Sequence, residues 1–223
     1  MSLTQRKPRP LSRDTDSLRD DRLFIVACDD TYAPKQYFGF FRFPRVQIYV
    51  IPTPKDTHQC HAIDVLQRLK EIEREDDDEL WMLLDADHYI EGSHLREFTR
   101  ILKEAREKGV SVALSKPCFE LWLLLHHLDK SAVHELTNAK ETETALRKVI
   151  GEYNKTNLKQ EHYPLDALKK AYLSAKALDQ LTGGSDIPES NTSRVYLLWQ
   201  AIFAKALPSQ IPPELIGLLP SVA

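Results

Sequence analysis

The stretch ELWMLLDADHY, residues 79–89, drives an apolar run straight into two aspartates, Asp85 and Asp87, one residue apart. A run this short, bounded by polar residues, predicts a strand covered on both faces. Three other runs have the same form: LFIVAC (23–28), closed by Asp29 and Asp30, then VQIYVIPT (46–53) and VSVALS (110–115). Helical patterns lie between them. Residues 61–74 place Ile63, Leu66, Leu69 and Ile72 on one face, and residues 93–109 open on Ser93 as N-cap and close at Gly109. Strand alternating with helix predicts an α/β fold built on a largely parallel sheet flanked by helices.

After Pro117 the strand signal fades and helical patterns take over, so a C-terminal helical extension is expected. The chain thus divides into a polar arm over residues 1–21, an α/β core over 22–130 and a helical extension over 131–223, packed on the core. The arm carries a basic cluster, Arg6, Lys7 and Arg9, that suits phosphate but is more often simply solvated. The acidic run EREDDDE (73–79) reads as a solvated turn rather than a metal site, because consecutive acids point in different directions.

Composition narrows the class without naming a partner. Thirty Lys and Arg against 33 Asp and Glu leave a net charge of −3, which neither supports nor excludes a nucleic-acid partner, so any basic surface must be local. Three cysteines, an odd number with no C-x-x-C pair, fit a reduced interior. The first 22 residues lack the apolar segment of a signal peptide, and no later run approaches membrane-spanning length. The expectation is a cytoplasmic protein with no membrane partner.

The carboxylates carry the chemistry. Ligands of open α/β sheets gather at the carboxyl ends of the strands, where Asp29, Asp30, Asp85 and Asp87 fall. If the backbone stays extended, Asp85 and Asp87 face the same side and, at a separation of about 5 Å, repel by roughly 3 kcal/mol at an effective dielectric near 20. A proton on one of them or a cation between them relieves this. Mg²⁺, or Mn²⁺, suits such oxygen ligands. The competing reading is that one aspartate caps a helix or a turn. Asp29 joins the pair if the first and third strands are neighbours, as third metal ligand or as general base. In SKPCFELWLLLHH, Lys116 would emerge at the end of the fourth strand to meet a phosphate or the aspartates, Pro117 would open a helix, and Glu120 would lie in its first turn. Glu120 and His127 would share a face of that helix; a histidine here, as at His126, is more often a hydrogen-bonded core residue than a ligand.

These strings together resemble the RloB-like family, small proteins encoded beside an AAA/ABC-type ATPase in bacterial anti-phage and restriction loci. WMLLDAD matches the family's W-x-x-x-D-x-D strand and SKPCFELWLLLH its S-N-P-x-F-E-x-W-x-x-x-H string; ACDD and QYF (36–38) stand where C-E-G and Y-F occur, and EYNK (152–155) and NTSRVYLL (191–198) also resemble it. The family is similar in turn to Toprim domains, in which a glutamate after the first strand and a D-x-D after the third bind Mg²⁺ and act on phosphodiesters. The resemblance implies a Toprim-like core and a Mg²⁺-dependent nuclease serving as effector of anti-phage defence or abortive infection. Asp29, Asp85 and Asp87 would bind metal and, with Lys116 and Glu120, form the catalytic set. The partners would be the ATPase and a DNA or RNA substrate. No G-x-x-x-x-G-K-[ST] string occurs, so ATP hydrolysis would come from the partner. The chain departs from the pattern at four places: Asp29 stands for the glutamate, Asp30 for the glycine after it, Pro34 for a second glutamate and Lys116 for the asparagine. A non-catalytic binding subunit with a degenerate site is therefore the alternative. A D-x-D glycosyltransferase ranks behind both, since PCFELW has no place in that fold.

Overall fold

The structure is a computed structural model that describes residues 22–57, 59–87, 89 and 94–219. The polar arm and the Ser93 cap lie outside the described residues. The four apolar runs form β1 (Arg22–Cys28), β2 (Val46–Ile51), β3 (Glu79–Asp85) and β4 (Val110–Lys116), all parallel, and a two-residue β5 (Thr192–Ser193) adds an antiparallel edge. Their order is β2-β1-β3-β4-β5. β1 and β3 are therefore neighbours, with Cys28 opposite Leu83, and the acids that follow them emerge side by side.

Alternation along each strand sends residues to two cores. Leu23, Ile25 and Ala27 of β1 and Leu80, Met82 and Leu84 of β3 face one side, where they meet α2 (Ala62–Lys70) and α3 (His94–Glu107). Phe24, Val26 and Cys28 with Trp81 and Leu83 face the other, where α1 (Ala33–Gly39) and α4 (Phe119–Leu124) lie. The same cluster takes in residues of α5 (Ala139–Ile150), α6 (Leu165–Gln180) and α7 (Val195–Lys205), so one continuous core runs from β1 to Leu218. Tyr37 is its hub: its ring makes edge contacts with Phe38, Phe119, Trp122 and Trp199 at centroid distances of 5.1 to 6.3 Å. Such aromatic pairs add about 0.5–1.5 kcal/mol each beyond the area they bury.

Two helices are shorter than their patterns predict. α2 stops at Lys70 rather than running to residue 74, because the acidic segment turns back on itself: the Glu75 N–H donates to Asp78 Oδ2 at 2.7 Å, and Asp77 pairs with Arg22 at 2.8 Å. α4 has six residues and begins after a cis Lys116–Pro117 bond, with Cys118 as its N-cap residue, so Pro117 precedes the helix instead of opening it. Among the described residues no helix is long and apolar enough to cross a membrane.

Candidate functional site

The carboxyl ends of β1 and β3 bring Asp29 and Asp85 together. The Asp85 N–H donates to Asp29 Oδ2 at 2.8 Å, so the first-strand acid closes over the third strand's last residue. Asp85, 7% exposed, points to the α4 side and accepts the Phe119 N–H at 2.8 Å through Oδ1. Asp85 thus does cap a helix, across 34 residues of chain, but with one oxygen only. Asp29 Oδ1 and Asp85 Oδ2 make no hydrogen bond among the described residues.

Two further acids and one lysine complete the cluster. Asp30 Oδ1 accepts the N–H groups of Tyr32 and Ala33 at the start of α1. Glu120, 4% exposed in the first turn of α4, accepts the Tyr153 hydroxyl at 2.7 Å. Lys155 Nζ lies 2.5 Å from Asp30 Oδ2 and 3.3 Å from Glu120 Oε1. Its loop is set by the end of α5: Gly151, at φ 81°, turns the chain out of the helix in a conformation that other residues rarely adopt. Gln36 of α1 then pins it, donating to the Lys155 carbonyl at 2.8 Å and accepting the Leu158 N–H at 2.9 Å.

The electrostatics follow from crowding. Burial raises the Asp29 carboxyl to about 7, with the Asp85 amide pulling the other way and the charge of Asp30 adding to the rise. Burial also pushes Asp85 well above the carboxylate range, reinforced by the charges of Asp29 and Glu120. Glu120 goes the other way: burial disfavours its charge, but Lys155 and the Tyr153 hydroxyl outweigh that and hold it low. Lys155 is raised correspondingly, since Glu120 and Asp30 outweigh its own burial.

The remaining sequence-based candidates have other partners. β3 ends at Asp85, and Asp87 sits in the turn beyond, its N–H donating to the Pro117 carbonyl at 3.3 Å and the Tyr89 N–H returning to Ala86 at 3.0 Å. The alternation that would face both aspartates one way requires an extended strand, and β3 ends two residues before Asp87. Lys116 leads away from the acids and donates to the Glu189 carbonyl at 2.5 Å. The cation beside the acids is instead Lys155, from a segment with no local mark of chemistry beyond the EYNK string. His126 is a core residue: its Nδ1–H donates to the Trp122 carbonyl at 2.9 Å, its Nε2 accepts the Tyr37 hydroxyl at 3.1 Å, and burial lowers it to about 3. His127 does not share a helix face with Glu120, because α4 ends at Leu124.

No group of three or more His, Cys, Asp or Glu among the described residues is arranged to cage a metal. Mg²⁺, however, is ordinarily held by one or two carboxylates, several waters and a substrate phosphate, not by an all-protein cage. Asp29 and Asp85 fit that lesser demand, two adjacent acids with an oxygen each to offer and a mutual repulsion that a cation relieves.

An open, largely parallel sheet with acids clustered at its carboxyl end, where ligands of such folds bind, defines a class of α/β protein. Within it the assignment is specific: the family model described as RloB-like protein matches residues 24–202, and the chain belongs to the RloB-like family. No curated protein and no solved structure matches the chain.

Proposed function

We propose that the protein is a Mg²⁺-dependent nuclease with a Toprim-like catalytic core, cleaving phosphodiester bonds of DNA or RNA as the effector of a bacterial anti-phage system whose ATPase is a separate AAA/ABC-type partner. The observation that carries this reading is the convergence of Asp29 and Asp85 from neighbouring strands, with both carboxyls raised by burial and crowding. Asp29 and Asp85 would hold the ion, which, when bound, supplies Lewis-acid polarisation of a phosphoryl oxygen. Asp30 and Glu120 hold the Lys155 ammonium at the edge of this pair, where it can meet a phosphate oxygen. Tyr153 fixes Glu120, and the Phe119 amide fixes Asp85.

One observation favours a second reading, a non-catalytic subunit of the ATPase: Lys155 already neutralises two acids, and backbone amides hold the other two. Plasmid DNA and tRNA incubated with the protein, with and without its neighbouring ATPase, across Mg²⁺ and Mn²⁺, separate the two. The nuclease reading expects cleavage that falls by at least about 100-fold in Asp29→Asn, Asp85→Asn. Equal cleavage by the double variant excludes these catalytic roles, and unimpaired protection of cells by that variant supports the binding subunit.

A further inference from the structure

The sheet is not closed along β4. β5 pairs only with Ser115 and Lys116, and the chain then leaves through Arg194, whose N–H donates to the Leu114 carbonyl at 2.8 Å before α7 begins. The Leu114 carbonyl therefore points away from β3, while the Ser115 carbonyl points toward it and accepts the Ala86 N–H at 2.7 Å. Main-chain groups alternate along a strand, so the N–H and C=O of Val110 and Val112 share the outward direction of Leu114. Among the described residues no hydrogen bond reaches them from outside the sheet. Residues 110–114, VSVAL, also carry none of the lysines, prolines or bulges that usually blunt an open edge.

This edge is the floor of a groove of about 750 Å³. Leu102 and Arg106 of α3 wall it on one side, and Leu197, Ala201 and Ala204 of α7 on the other. Val110, Val112 and Leu114 turn their side chains to the α3 face of the sheet, and by alternation Ser111 and Ala113 turn theirs to the α7 face. The charges at the rim are taken up by one another: Arg106 pairs with Asp186 at 2.6 Å and Arg194 with Asp179 at 2.9 Å. Arg194 also donates to the carbonyls of Asp186 and Ser185. The groups left facing the groove are neutral, namely the Val110 and Val112 main chain, the Ser111 hydroxyl and the Gln200 amide.

We propose that this groove docks an extended, uncharged segment of a partner protein, which pairs with residues 110–114 and continues the line that β5 begins. Main-chain groups repeating at every second residue select an extended peptide, because a helix satisfies its own N–H and C=O groups and cannot answer them. Five residues at about 3.3 Å each give a slot of roughly 17 Å. The walls select the side chains: apolar ones toward Leu102 and Val112, small polar ones toward Ser111, Ala201 and Gln200. An ionic side chain would have to displace the Arg106–Asp186 or Arg194–Asp179 pair. A second copy of the chain does not fit, since its own edge lies in the same recess between α3 and α7. The inference depends neither on the acid pair nor on the nuclease reading.

The probe is a capped heptapeptide alternating Val with Ser or Thr, added at millimolar concentration to the nitrogen-labelled full chain. Amide exchange at Val110 and Val112 and the Trp81 indole resonance, at the groove floor, are followed by NMR. The peptide should slow exchange at both amides several-fold and move the Trp81 signal. The same peptide N-methylated at every amide, and one with Glu and Lys in place of Ser and Thr, should do neither. Val112→Pro removes an outward donor without costing the sheet a ladder bond, and should weaken peptide binding about ten-fold, the loss of one main-chain hydrogen bond. Ala204→Trp, which fills the groove from an exposed position on α7, serves the same end if the first variant fails to fold. No response to the peptide, an equal response to the methylated one, or binding that survives in a folded Val112→Pro or Ala204→Trp would each overturn the docking site. So would Val110 and Val112 amides already protected in the free protein, which would mean that this chain fills its own groove. A dimer in sedimentation that Val112→Pro abolishes would overturn it in favour of a second copy.

Discussion

The aromatic core around Tyr37 and the acid cluster at the strand ends share α1 and α4, yet they resolve buried polarity in opposite ways. In the core the buried imidazole of His126 has a partner on each nitrogen, a hydroxyl and a carbonyl, and burial keeps it neutral. At the strand ends Asp29, Asp30, Asp85 and Glu120 converge around a single lysine, and two of the four are pushed toward the protonated form. The charge of Arg68 acts on Asp29 from a distance, but its guanidinium donates to the carbonyls of Cys28 and Gln59 and to the Thr53 hydroxyl. The first arrangement is what stability alone selects. The second is locally unfavourable, and the proposed ion is what would relieve it.

Breaking the core should cost most. Trp199 is fully buried and touches Tyr37, Phe41 and Phe203, so Trp199→Ala should lose about 3–5 kcal/mol in urea unfolding. A loss near zero would mean that α7 is not integral to the sheet's packing. Next comes Lys155→Met. Removing the ammonium leaves Asp30 and Glu120 buried without a counter-charge, and because the lysine keeps 41% side-chain exposure the expected loss is about 1–3 kcal/mol rather than that of a fully buried pair. Glu120 is held below its usual range in the fold, so its contribution is present at neutral pH and disappears as pH falls through that lowered value. The difference between parent and Lys155→Met should therefore be largest near pH 8 and shrink on acidification. Melting temperatures at pH 8 and pH 4 measure it.

What was legible in the chain, and what was not, follows the same division. The four strands announce themselves because a doubly covered strand must be continuously apolar, and the register of β1 against β3 brings Asp29 to Asp85 once they are neighbours. The side that Asp87 faces was not legible, because a two-residue spacing implies a common side only while the strand continues, and nothing in ELWMLLDADHY says that pairing ends at Asp85. Lys116 shows a related limit: sitting at a strand end places the backbone near the site, but its ammonium donates to the Glu189 carbonyl. Lys155 was hidden because its role depends on a tertiary contact 35 residues beyond Glu120, and no periodicity encodes that. Asp30 was visible as an acid at a strand end, but its partnership with Lys155 was not.

The acid pair also makes a prediction of opposite sign to the core. Asp29→Asn keeps an acceptor for the Asp85 amide and removes a buried charge, so the variant should be more stable than the parent at pH 8, by about 1–2 kcal/mol once partial exposure discounts the full shift. An acid raised from 3.8 to about 7 in the fold is protonated in both states below pH 4 and costs stability as pH rises toward 7, so the gain should vanish near pH 4. His126 runs against this. A base lowered from 6.5 to about 3 withdraws stability as pH falls through that window, so the parent's profile is flattened by two opposing groups and that of Asp29→Asn should drop more steeply in acid. Parallel profiles for the two proteins would mean that Asp29 is ionised without penalty, and the convergence would then need no ligand to explain it.

The smallest effect belongs to Lys116→Ala. Its ammonium meets a carbonyl in an exposed setting, away from the acids, so the change should fall within about 0.5 kcal/mol in stability and leave any cleavage rate within about two-fold of the parent. Lys155→Ala assayed beside it sharpens the contrast, since Lys155 touches Asp30 and Glu120. If Lys116→Ala instead abolished cleavage while Lys155→Ala did not, the phosphate would have to approach from the β4 side of the sheet, and the division between a ligand-ready end and a self-satisfied core would have been drawn in the wrong place.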